Sequence, residues 1–244
     1  MRIRKFGWAA VVAAGLLGLV ALGVSATPSD RDAAADSAYL FGHLHARSHS
    51  LDAMWFESSL AEMLPSQQFS VNGAPAASRT SALVIGQIAD VRAGRGFSHK
   101  NDAPSSTEVG FNSPQALWRT VEVTVSVEQA WGKVAGQDKV TFAVVIDRGA
   151  NATAAINGLR SLGRIVVSLD RQGRYAYSPG LYSISHSGDL FGTVDAQGNI
   201  QLPVMENGAG FMKGLDTVAE LSAEAAKSPQ SIKIDLTDGV PARW

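Results

Sequence analysis

Three observations predict a mainly β fold, a small barrel or sandwich. The stretch Trp118–Ala130 (WRTVEVTVSVEQA) alternates valines with polar residues, and the side chains of a β-strand alternate between two faces. Asp138–Ile146 (DKVTFAVVI) repeats this period of two after a short turn that contains Gly136. Turn signals such as Pro179-Gly180 then recur at short intervals up to residue 204, which is typical of small barrels and sandwiches.

The valine strand needs neighbouring strands, because its apolar face must be covered. Ser81–Ala93 is predicted as the strand before it, with Gly86 marking a bulge or a close backbone approach. Gly94–Ala116 contains almost no aliphatic residues and is predicted as a long surface loop. Arg164–Leu169 is predicted as a further short strand. The residues of the 81–93 strand expected on one face are Leu83, Ile85, Ala89 and Val91.

Helical spacing of apolar residues predicts flanking helices over Leu51–Leu64 and Gly214–Lys227. Thr27–Ser50 is predicted as a linker that is helical over Ala33–Leu44, and Asp147–Gly158 as a loop. The expected organisation is a signal or anchor over 1–26, a linker with a short helix over 27–80, a β domain over 81–204, and a C-terminal helix and edge strand over 205–244.

The N-terminus has the three-part layout of a secretory signal. Basic residues in Met1–Lys5 precede the uncharged run Phe6–Val24, and Val24-Ser25-Ala26 supplies the small residues that a signal peptidase reads. The alternative is an uncleaved membrane anchor, because a bilayer span needs about 20 apolar residues. Both alternatives place the rest of the chain outside the cytoplasmic membrane, and the membrane is contacted only through this segment.

Composition excludes several classes of function. The net charge is −1 and no basic cluster follows the N-terminus, which argues against binding of nucleic acid. The chain has no cysteine, so disulfides, thiolate catalysis and cysteine-ligated metals are excluded.

The order of short motifs resembles a family. The motifs are Ala82–Gly86, Val121–Val125, Glu128–Gly132, Val140–Phe142, Gly163–Leu169, Tyr182, Gly192 and Asp195–Gly198. In this order they resemble uncharacterised exported bacterial proteins with an OB-like β-barrel domain, similar in outline to netrin-like inhibitor domains. The resemblance implies a small, closed five-stranded barrel over 81–204. It implies no catalytic residue, because the group has no established activity.

Exposed aromatic residues are the candidates for ligand contact. Tyr175 and Tyr177 share one face of a short predicted strand, and Trp118 opens the valine strand. OB-type barrels use such aromatic side chains to bind sugars or single strands. Burial in a small core is the competing interpretation of these aromatic residues.

Catalytic and metal sites are less well supported. His186 and Asp189, beside Ser185, suggest a hydrolase, but a triad usually joins residues that are distant in sequence, and a turn explains this stretch. His43, His45 and His49 lack the other features of a metal site. The carboxylates Glu122 and Glu128 lie about 20 Å apart on an extended strand, which is too far for an acid–base pair.

The sequence therefore predicts an exported binding or interaction module without catalytic residues, metal or cofactor. Its expected partner is an envelope protein or a glycan, and the alternative function is an envelope-directed hydrolase with a site near His186 and Asp189. An envelope structural protein without a small ligand is a third interpretation.

Cleavage of the signal can be tested by mass. We expect the mature protein to begin at Thr27, because signal peptidase would cut after Ala26. Intact-mass spectrometry of the protein recovered from the producing cells checks this. A mass that includes Phe6–Val24 would instead support the membrane anchor.

Overall fold

A long β-ribbon, covered by helices on its apolar side, organises the chain. The structure is a computed structural model, and it describes residues 30–52, 64–65, 69–71, 74–76, 80–99, 106–170, 172, 178–205, 214–227 and 232–234. The helices are α1 (Asp30–Asp52), α2 (Ala152–Ser161) and α3 (Val218–Ala226), with a 3₁₀ turn at Ser185–Gly188. The strands are β1 (Phe69–Val71), β2 (Ala74–Ala76), β3 (Thr80–His99), β4 (Ser106–Val109), β5 (Trp118–Gly132), β6 (Lys139–Asp147), β7 (Arg164–Asp170), β8 (Tyr182–Ser183), β9 (Phe191–Val194), β10 (Ile200–Gln201) and β11 (Ile232–Ile234).

The valine strand is confirmed as the centre of a mainly β fold. Val121, Val123 and Val125 are fully buried on one face of β5, and Val123 lies opposite Val91 on β3 and Phe142 on β6. The β5–β6 hairpin has the register expected from the two alternating patterns, and its apolar face forms the centre of the larger core.

β3 is buried on both faces over its first part. Val84 packs into the core with the valines of β5, whereas Leu83 and Ile85 pack on the opposite side in a second core that includes Leu221 of α3. A strand covered on both faces has a continuous apolar run instead of an alternating one. This explains why residues 82–85 read Ala-Leu-Val-Ile.

Bulges change which residues of β3 share a face. The pairing with β5 shifts at Ile85/Gly86, which confirms the irregularity predicted at Gly86, and a Cβ at Gly86 would collide with the carbonyl oxygen of Ser126. The pairing shifts again between Ile88 and Asp90. Val91 therefore joins the core of Val84, and the prediction that it shares a face with Leu83 and Ile85 is wrong.

The main sheet is open, so the predicted closed five-stranded barrel is wrong. Its strands follow the order β10-β9-β7-β3-β5-β6-β8, with β4 added to β3 beyond the end of β7. The end strand β8 has two residues, and one isolated antiparallel bridge, Leu169 to Ile184, joins this end back to β7. A single bridge does not make the continuous ladder that closes a barrel.

Helices α1 and α2 cover the apolar face of the ribbon. Leu40 and Leu44 of α1 and Leu159 of α2 are buried in the same core as the valines of β5. α1 is therefore longer than the helix predicted over Ala33–Leu44, and it belongs to the core instead of a linker. Gly158 allows the two helices to touch, because a Cβ there would collide with the carbonyl oxygen of Asp36.

Two predicted loops contain regular structure. The prediction that Asp147–Gly158 is a loop is wrong, because α2 begins after Asn151. The Asn151 side chain accepts a hydrogen bond from the Ala154 N–H at 3.1 Å and caps the helix. The prediction that Gly94–Ala116 is a surface loop is also wrong in part, because β3 continues to His99 and pairs with β4. Phe97, which is 2% exposed, supplies a buried apolar side chain in this stretch, which has almost no aliphatic residues.

The C-terminal predictions agree with the described residues. α3 begins after Thr217, which caps it by accepting from the Glu220 N–H, and β11 pairs with β1 in a separate three-stranded sheet. The predicted helix over Leu51–Leu64 and the signal segment lie mostly or wholly outside the described residues. No helix within the described residues is long and apolar enough to cross a membrane.

The seating of α1 on α2 can be tested with two helix glycines. We expect Gly158→Ala to lower the unfolding free energy by about 1–3 kcal/mol, because its Cβ would overpack against Asp36 and lie 3.1 Å from the Leu40 Cβ. Gly42→Ala in α1 should raise it by about 0.5–1 kcal/mol, because a Cβ there meets no atom within 4 Å. Urea denaturation measures both, and a neutral Gly158→Ala would contradict the packing.

Candidate functional site

An open groove of about 560 Å³ lies between α1 and the β9–β10 hairpin. Small-molecule sites commonly have volumes of about 300–1,000 Å³. The groove is lined by Ala34, Ser37, Ala38, Phe41, Gly42 and His45 from α1, and by Thr193, Gln201 and Pro203 from the opposite wall.

The shape of the groove follows from small residues on α1. Ala34, Ala38 and Gly42 recur every four residues, so they lie above one another on one face of the helix. All three are exposed, and a side chain added at Gly42 would meet open space. The buried Phe41 ring lies against the Phe191 ring, with centroids 5.7 Å apart, and holds α1 at this distance from β9.

The groove presents polar side chains on both walls. Ser37 and His45 come from the helix, and Thr193 and Gln201 come from neighbouring positions of the β9–β10 pair. The His45 ring is oriented by its Nδ1–H, which donates to the carbonyl oxygen of Val204 at 3.0 Å. The residues that line the groove in the described structure include no Asp, Glu, Lys or Arg. The groove can therefore form hydrogen bonds with an uncharged ligand.

A polar contact holds the other side of α1 to the loop after β6. The Asn151 backbone N–H donates to the Tyr39 hydroxyl at 2.6 Å, and the Arg47 guanidinium donates to the Asp147 carboxylate at 2.5 Å. His43 lies one turn from each on the helix, with its Nε2 3.9 Å from the nearer Asp147 oxygen. These contacts fix the rotation of α1 about its axis, and thus which residues face the groove.

The surroundings of His43 in this contact disfavour the charged form of its ring. Its side chain is 14% exposed, and the buried Nε2 has no hydrogen-bond partner. Burial lowers the pKa of His43 below its ordinary value; the Asp147 carboxylate opposes this shift and the Arg47 guanidinium adds to it. His43 is therefore neutral in the folded protein near pH 7.

The structure describes one of the three predicted ligand-contact residues. Trp118 is half-buried at the start of β5, opposite Phe97 on β3 and Asp147 on β6, and it does not line the groove. Tyr175 and Tyr177 lie outside the described residues. Sequence reasoning missed the groove residues, because their sole local signal was the recurrence of small residues in α1.

The hydroxyl groups near the alternative hydrolase site form a buried network. Ser185 lies in the 3₁₀ turn with its Oγ 3.1 Å from the Thr80 Oγ1, and the Ser168 hydroxyl donates to the same Thr80 oxygen. These three residues are at most 2% exposed, and their hydrogen bonds link β3, β7 and the turn. The side chain of His186 lies outside the described part, so the hydrolase site stays a prediction.

The two carboxylates judged too far apart for an acid–base pair each form a separate ion pair. The Arg92 guanidinium donates twice to one Glu122 oxygen, at 2.9 and 2.6 Å, and Arg164 pairs with Glu128 at 2.7 Å. Asp195 stabilises the turn before β10; hydrogen bonds from the Asn199 side chain and backbone lower its carboxyl pKa.

The histidines of the N-terminal stretch, which the sequence did not support as a metal site, make different contacts. His43 faces Asp147, whereas His45 faces Val204 across the helix. The side chain of His49 is not described. Among the described side chains, no group of three His, Cys, Asp or Glu residues converges to hold a metal ion.

Comparison with known proteins found no match among protein-family models, curated proteins or solved structures. The resemblance to exported OB-like proteins therefore stays a prediction, and the function is inferred from the residues of the groove.

The unpaired His43 predicts a loss of stability in mild acid. Because its folded pKa is lowered, the folded state binds fewer protons than the unfolded state below about pH 6.5. Stability should therefore fall as the pH drops through this value towards the folded pKa. Urea unfolding at pH 7.5 and pH 5.5 should show a smaller pH-dependent decrease for His43→Gln than for the wild type. Equal decreases for the two proteins would contradict this role of His43.

Proposed function

We propose that the protein is an exported, non-enzymatic binding module whose groove between α1 and the β9–β10 hairpin takes a neutral oligosaccharide. The observation that carries the proposal is that the described lining of this groove contains no Asp, Glu, Lys or Arg. Opposite walls offer hydrogen-bonding side chains, Ser37 and His45 on one and Thr193 and Gln201 on the other. A sugar presents hydroxyl groups on two edges and needs such partners on both sides.

Open access to the groove supports binding of a chain. The exposed Ala34, Ala38 and Gly42 leave one wall without long side chains, so a ligand can lie close to the helix along about two turns. A long neutral polymer can enter such a groove from the side. A small charged metabolite would instead require an ionic partner, which the lining does not offer.

The order and pairing of the strands support an OB-like fold for the β domain. β3 pairs with both β5 and β7, β6 pairs in parallel with β8, and α2 connects β6 to β7. We propose that β3, β5, β6, β7 and β8 form an OB-like arrangement that is left open at the β8 end. OB-type domains bind oligosaccharides and oligonucleotides, and the uncharged groove favours the former.

Export is proposed from the N-terminal sequence. The basic start and the uncharged run Phe6–Val24 support secretion, and envelope glycans are then available as ligands. An envelope protein is the second candidate partner. The small residues of α1 favour it only if the partner places its own backbone against this helix.

The hydrolase alternative has weaker support. Ser185 is 1% exposed and its hydroxyl lies in the buried network with Thr80, so it does not face solvent as a nucleophile would. Glu122 and Glu128 are each held by an arginine, in positions that suit structural ion pairs.

Filling the groove should abolish binding. We expect Gly42→Leu to weaken binding of chitotetraose, cellotetraose or maltotetraose by at least about tenfold, because the added side chain would occupy the space above Gly42. The purified protein from Thr27 onward is titrated with each sugar by calorimetry and by ¹H–¹⁵N NMR. Ala35→Leu, an exposed α1 position outside the lining, is the matched control and should bind like the wild type.

Two results would contradict the proposal. One is the absence of binding of all three sugars at about 10 mM, a concentration at which even weak sites are occupied. The other is equal binding by Gly42→Leu and Ala35→Leu, because the sugar would then lie outside the groove.

A further inference from the structure

Arg119 places a cation on the apolar face of the valine strand. It shares the parity of Val121, Val123 and Val125, and it lies opposite Gly96 on β3 and Ile146 on β6. Ile146 is fully buried, and Gly96 is buried. A charged residue at a core position is disfavoured unless it is paired or has a function.

The Arg119 guanidinium has an aromatic neighbour and an unsatisfied donor. Its Nε is buried and has no hydrogen-bond partner. Its central carbon lies 5.8 Å from the centroid of the Phe111 ring, a cation–π distance. No ion pair between Arg119 and a carboxylate occurs in the described part of the chain.

Other arginines of the sheet are satisfied differently. Arg92 and Arg95 each pair with a carboxylate on a neighbouring strand, Glu122 and Glu108, respectively. Arg164 of β7 pairs with Glu128 of β5 across the intervening β3. These three carboxylates compensate cations on the polar surface of the ribbon. Arg119 lies at the end of the opposite, apolar face, where its neighbours offer a ring and backbone.

The geometry of a guanidinium indicates what would satisfy it. The two terminal nitrogens donate in parallel along the outer edge of the guanidinium, and this fork matches two oxygens of a carboxylate or a phosphate. The Phe111 ring attracts the cation and helps to hold it at this half-buried position.

The site is open to a ligand. Arg119 and Phe111 are both half-buried, so part of each side chain reaches solvent. The turn that carries Phe111 is held by its own backbone bonds, from the Ser113 N–H to the Gly110 oxygen and from the Ala116 N–H to the Ser113 oxygen. A Cβ at Gly110 would meet no atom within 4 Å, so the start of this turn is not crowded.

We propose that Arg119, beside the Phe111 ring, is a binding site for an oxyanion, the carboxylate or phosphate group of a ligand. The site is separate from the groove, because neither residue lines it. It therefore does not depend on what the groove binds. An acidic group on an envelope polymer or a free small anion would offer the same chemistry.

The test follows the Nε–Hε resonance of Arg119 by NMR. Phosphate and acetate are titrated separately into the purified protein from Thr27 onward, and chloride keeps the ionic strength constant. We expect a saturable shift of this resonance with at least one anion. A response to phosphate alone identifies a phosphoryl ligand, and a response to acetate as well extends the class to carboxylates.

Two variants separate specific binding from general charge effects. Arg119→Lys keeps the charge but lacks the fork, so the anion affinity, measured on nearby backbone amides, should fall at least about tenfold. Arg95→Lys, whose arginine is paired with Glu108, is the matched control and should keep the wild-type affinity. If Arg119→Lys does not fold, Phe111→Leu tests the cation–π contact and should also weaken binding.

The proposal would be overturned if the Arg119 resonance showed no saturable shift with either anion. It would also be overturned if Arg119→Lys, or Phe111→Leu in its place, bound as tightly as Arg95→Lys. These outcomes are independent of sugar binding in the groove.

Discussion

The pairing of β3 with β5 is the constraint on which the rest of the structure depends. The two strands remain hydrogen-bonded from Ala82/Gly132 to Phe97/Trp118, across three register shifts. Such a ribbon has a long apolar face, and this face must be removed from water. β6 and β7 widen the ribbon into a sheet, and α1 and α2 cover its valine face. The positions of these helices thus follow from the area that the ribbon exposes.

Both candidate binding sites lie beside this covered core. α1 contacts the sheet through Leu40, Phe41 and Leu44, and the small residues on its adjacent face leave a groove beside the β9–β10 hairpin. Arg119 is the second residue of β5 and lies on the same face of the strand as the buried valines. The groove is uncharged and the second site is cationic, so the two would select different chemical groups.

Period-two alternation was sufficient to predict β5, β6 and β7, because apolar residues that become buried recur at every second position of each strand. It also predicted the strand β3 but assigned Val91 to the wrong face, since bulges reverse the facing of Val91 relative to Ile85. α2 was missed because its buried face consists largely of alanine and glycine, which carry a weak apolar signal. Whether the barrel closes depends on the length of β8, which a local sequence pattern does not reveal. The groove is formed by residues about 150 positions apart in the chain, so no local pattern predicts it either.

Native-state hydrogen exchange tests most directly whether α1 is part of the core that the ribbon requires. We expect the amides near Leu40 and Leu44 to exchange with the same free energy as those of Val121 and Val123, equal to the global value from urea unfolding. Exchange of the α1 amides at a much lower free energy, with β5 still protected, would show that the helix is an appended linker. It would remove the wall on which the proposed groove depends.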